Sequence, residues 1–75
     1  MTTRIESTDA TDALYTAAAR LGYSEAAGAG VVELERLRAA SRVALLDVSP
    51  REGREIFAAA YEGGATAAAN DRRVR

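Results

Sequence analysis

Ser49-Pro50-Arg51-Glu52-Gly53-Arg54-Glu55-Ile56-Phe57-Ala58-Ala59-Ala60-Tyr61-Glu62 is the stretch whose reading decides the fold. Its first four residues carry the signature of a helix start. Ser49 offers a capping oxygen, Pro50 suits the first helical position because its missing N–H has no intrahelical partner there, and Glu52 completes a capping box. Ile56, Phe57, Ala60 and Tyr61 then fall on one face at helical spacing. The pattern predicts a helix from Pro50 to about Glu62, weakened in its first turns by Gly53 and stopped by Gly63-Gly64.

Working outward, Thr66 is placed to cap one more short helix over 67–70. Residues 65–75 end in Arg72, Arg73 and Arg75 and read as a frayed tail. Upstream, Val31, Leu34, Leu37, Ser41 and Leu45 repeat at helical spacing. The start of that helix is open between Ser24 and Val31, because Gly28 and Gly30 each cost about 1 kcal/mol inside a helix. Residues 8–21 read as a further helix, with Thr8, Asp9, Thr11 and Asp12 as capping candidates and Ala10, Leu14, Ala17, Ala18 and Leu21 as the apolar face. Gly22 then stands where a left-handed cap is wanted. Thr2 to Glu6 suits a short strand, with residues 1–7 as strand or arm. The expected fold class is mainly α: three to four short helices packed as a small bundle in one domain spanning 1–75, with that N-terminal strand as an option.

Composition narrows the function. The chain has 75 residues, no Cys and no His. Disulfides, thiol nucleophiles, imidazole bases and zinc sites are therefore excluded. Carboxylate pairs such as Glu33 with Glu35 and Glu52 with Glu55 read as solvated helix faces, and Asp9 with Asp12 as helix capping, so no catalytic residue, cofactor or metal is expected. Gly28-Ala29-Gly30 lacks both the third glycine and the preceding strand of a dinucleotide loop. All ten basic residues are Arg and 18 residues are Ala, a bias that fits a high-GC genome. The net charge is −1, and no segment has the basic excess that drives phosphate binding. No apolar run approaches the ~20 residues of a membrane helix. No leader is evident, so a cytoplasmic location is the expectation.

Short chains without cross-links rarely build a sufficient core alone. Self-association or a protein partner is therefore expected, with Ile56, Phe57, Tyr61, Leu34 and Leu37 as candidate partner-binding side chains in a helix-in-groove contact.

The order Thr2-Thr3-Arg4-Ile5-Glu6, a helix over 12–21, and Gly22-Tyr23-Ser24-Glu25 leading into a second helix resembles the ribbon-helix-helix repressors, a family that includes many antitoxins. That resemblance covers the N-terminal half. It implies a homodimer whose paired strands enter the DNA major groove, with Thr2 and Arg4 as DNA-binding residues, and a C-terminal segment over about 49–75 that wraps a toxin. Ala18 to Ser24 also resembles a helix-turn-helix corner, but the helix after it would offer Ala26, Ala27, Gly28 and Ala29 to base edges, and these cannot read them. The function expected is a non-enzymatic, protein-binding regulator acting by self-association and partner binding, antitoxin-like with DNA contact as a dimer. The alternative is a small structural or assembly subunit of a phage or cellular complex.

Overall fold

The computed structural model describes the backbone of residues 2–74 and the side chains of residues 9–73. It contains three helices: α1 (Thr2–Ala26), α2 (Val31–Leu45) and α3 (Pro50–Val74). Among the described residues there is no strand.

Helix α3 starts at Pro50 as the sequence predicts, but the reciprocal capping box is not what Ser49 and Glu52 form. Ser49 Oγ donates to Glu52 Oε1 at 3.2 Å, while Gly53 N–H donates to Ser49 C=O at 2.7 Å. The turn after α1 is set by Gly28, which adopts φ 84°. Ala29 N–H reaches back to Ser24 C=O at 2.9 Å and Gly28 N–H to Glu25 C=O at 3.2 Å. This is a Schellman cap, a left-handed conformation that favours glycine. Gly30 then precedes α2 in extended geometry. The far end of α2 tightens into i→i−3 bonds, with Leu46, Asp47 and Val48 N–H donating to Val43, Ala44 and Leu45 C=O, which satisfies carbonyls a helix end leaves open.

Three expectations are corrected. Residues 2–6 are the first turns of α1, not a strand. A lone five-residue strand has nothing to pair with and leaves its backbone groups unsatisfied, whereas added helical turns pair theirs internally. The side chains of Thr2 and Arg4 lie outside the described residues. Second, α1 does not end at Gly22 but continues to Ala26. Third, α3 does not stop at Gly63-Gly64; it runs on to Val74, absorbing the separate short helix and most of the tail expected there.

The last two corrections share one cause. A Cβ placed on Gly22 would lie 2.1 Å from the Tyr61 carbonyl oxygen, and one placed on Gly64 would lie 2.0 Å from that of Ala19. These glycines are contact points between two backbones. Residue 22 meets 61 and residue 19 meets 64, so α1 and α3 run antiparallel. Ala18, Ala60 and Ala68 are buried along the same seam, with Leu14 and Leu21 as its large members. Small residues let the axes approach closely, and the packing gained offsets the roughly 1 kcal/mol each glycine costs the helix.

Candidate functional site

Helices α2 and α3 each pack on α1 and barely touch each other. The space left between them is a cleft of about 450 Å³. Leu21 of α1, Leu45 of α2, and Phe57 and Tyr61 of α3 form its apolar lining. Leu45 closes the end near the α2–α3 connection, its Cδ2 resting where a side chain on Gly53 would project. Phe57 and Tyr61 stack along one wall, with ring centroids 5.9 Å apart and planes 18° from parallel. On the opposite wall Ser41 is buried, its hydroxyl donating to Leu37 C=O at 3.0 Å, so it presents no free donor to the cleft.

The rim is basic. Arg38, Arg42 and Arg54 border the cleft together with Glu25. Arg38 Nη2 bonds Glu25 Oε2 at 2.9 Å, which ties α2 to the end of α1. Among the described residues, Arg42 and Arg54 have no ion pair. The rim, among the described residues, therefore carries two guanidinium groups without an ion pair beside an apolar lining. Guanidinium binds carboxylates in planar, two-pronged fashion and is weakly hydrated for a cation, so it suits a partly dry rim.

The sequence candidates separate on this frame. Phe57 and Tyr61 line the cleft, half-buried. Ile56 and Leu34 are half-buried and do not border it. Leu37 borders a different hollow, beside Ala13, Thr16 and Ala17 of α1. The three arginines were not singled out from sequence. They lie sixteen residues apart at the extremes, and nothing local shows that α2 and α3 splay and bring them together. Among the described residues no group of acidic side chains is placed to hold a metal ion, and no helix is long and apolar enough to cross a membrane.

No protein-family model, no curated protein and no solved structure matches this chain.

Proposed function

We propose that this chain is a non-enzymatic binding protein whose α2–α3 cleft receives an acidic amphipathic helix of a partner protein. The observation that carries the reading is the pair of unpaired guanidiniums, Arg42 and Arg54, set on the rim of an apolar cleft. The cleft runs along two helical turns, from Arg38 to Leu45 on one wall and Arg54 to Tyr61 on the other. At 1.5 Å per residue that is about 10 Å, room for apolar side chains at i, i+4 and i+7 of a docked helix. Carboxylates beside those positions would meet the arginines. The thin core supports the same reading: among the described residues the buried apolar side chains are Leu14, Ala18, Leu21, Ala60 and Ala68, and three of these are alanine. A partner helix adds the apolar burial such a core lacks. In this reading an antitoxin-like role would take the form of a regulator that covers a helix of the protein it controls.

The test uses a synthetic helical peptide with Leu at i, i+4 and i+7 and Glu elsewhere, titrated into the full chain and followed by NMR. Saturable shifts should centre on Leu21, Leu45, Phe57 and Tyr61. Affinity should fall with salt and should fall again in Arg54→Glu. Equal binding of a Lys-for-Glu peptide, or shifts that map away from the cleft, would overturn the proposal.

A further inference from the structure

The face of α2 turned away from α1 is apolar, and its pattern is symmetric. Val32, Ala39, Val43 and Leu46 all project within an arc of about 60° at 3.6 residues per turn. Val32 is 74% exposed, Val43 64% and Leu46 83%, and Ala39 is exposed as well. Leu46 caps α2 with φ −64° and ψ −25°, so it stays on the helical path. On the opposite face Leu34, Leu37, Ser41 and Leu45 turn inward, half-buried or buried. A helix 15 residues long thus carries apolar residues on both sides, and only one side is covered.

The spacing says what covers the other. Val32 and Leu46 stand seven residues to either side of Ala39. Glu35 and Arg42 stand four before it and three after it, on the same flank of the stripe. We infer that this face is a self-association surface, on which α2 of a second copy packs antiparallel about a two-fold axis at Ala39. That axis sets Val32 against the partner's Leu46. It sets Glu35 beside the partner's Arg42, and does so twice, once on each side of the axis. Ala39, the smallest residue of the stripe, sits where the helices come closest. In an isologous interface one patch must complement itself when reversed. This stripe does so where Val32 meets Leu46 and Glu35 meets Arg42, while on the other flank the exposed Arg36 comes beside the partner's Val43. Flanking charges of this kind set the orientation of paired helices. The stripe is about four turns long, which places it with small, reversible interfaces.

The surface shares Arg42 with the rim of the cleft, whereas Val32, Val43 and Leu46 lie outside the cleft lining. A substitution at Val43 therefore separates failure of this proposal from failure of the cleft reading. Analytical ultracentrifugation of the full chain should show a concentration-dependent monomer–dimer equilibrium. Val43→Glu should give a monomer with an unchanged helical circular dichroism spectrum, and that monomer should still bind the acidic peptide if the cleft reading holds. Glu35→Arg and Arg42→Glu should each weaken the dimer by about tenfold, since each reverses a pair made twice. The double variant Glu35→Arg/Arg42→Glu should restore it. A monomeric wild type at the highest accessible concentration, a dimer that survives Val43→Glu, or a double variant as weak as the singles would overturn the assignment.

Discussion

The two helices that lean on α1 do so in opposite ways. Helix α3 meets α1 through backbone and small side chains, with Gly22 against Tyr61 and Gly64 against Ala19. Helix α2 meets it through half-buried leucines and the Arg38–Glu25 ion pair at 2.9 Å. The first contact leaves no room for anything else. The second leaves an arginine-rimmed cleft on one side and an exposed apolar stripe on the other. Stability and binding are thus divided between two helix pairs: α1 and α3 make the frame, and α2 is the element that offers surface.

That division can be broken from either side. Leu14 is completely buried in the frame. Leu14→Ala should cost about 2–5 kcal/mol, a large share of the roughly 4–11 kcal/mol expected for a chain of this length. Chemical denaturation should register it as a steep fall in the midpoint. If Leu14→Ala proves nearly silent, the frame is not where the stability lies. On the other side, Glu25→Ala removes an ion pair whose partners are 49% and 35% exposed in their side chains. It should cost no more than about 1 kcal/mol. A larger loss would make α2 part of the frame and weaken the contrast.

The comparison also shows what the chain discloses one residue at a time and what it withholds. The start of α3 was legible because Pro50 at a first helical position is a local signal, even though Ser49 and Glu52 meet side chain to side chain and not as a capping box. Leu14, Ala18 and Leu21 were legible because helical spacing alone puts them on one face. Gly63-Gly64 and Gly22 were misread as stops. A glycine that ends a helix and a glycine that admits a neighbouring helix are the same residue, and only the neighbour distinguishes them. Gly28 is the glycine that does end a helix, with φ 84°, and nothing in its local sequence sets it apart from Gly22 as the cap. A usable signal was present in Ala60, Gly64 and Ala68, all buried small residues on one side of α3. Their spacing of four and four marks a close-packed helical seam. The candidate site was half legible. The apolar pattern of α3 pointed to Phe57 and Tyr61, but the convergence of Arg38, Arg42 and Arg54 depends on the angle between two helices, which no local pattern encodes.

Two adjacent glycines allow the most direct test. Nothing stands within 4 Å of a side chain added at Gly63, whereas one added at Gly64 would collide with the Ala19 backbone. Helix propensity favours alanine equally at both positions, by about 1 kcal/mol, so propensity alone predicts two stabilised variants. Close packing predicts opposite signs. Thermal unfolding of Gly63→Ala should show a melting temperature several degrees higher, and Gly64→Ala one lower by roughly 10 °C or more, from about 2 kcal/mol or more of net overpacking strain. Two variants that both rise would contradict the backbone contact between α1 and α3, and with it the frame on which α2 presents its surfaces.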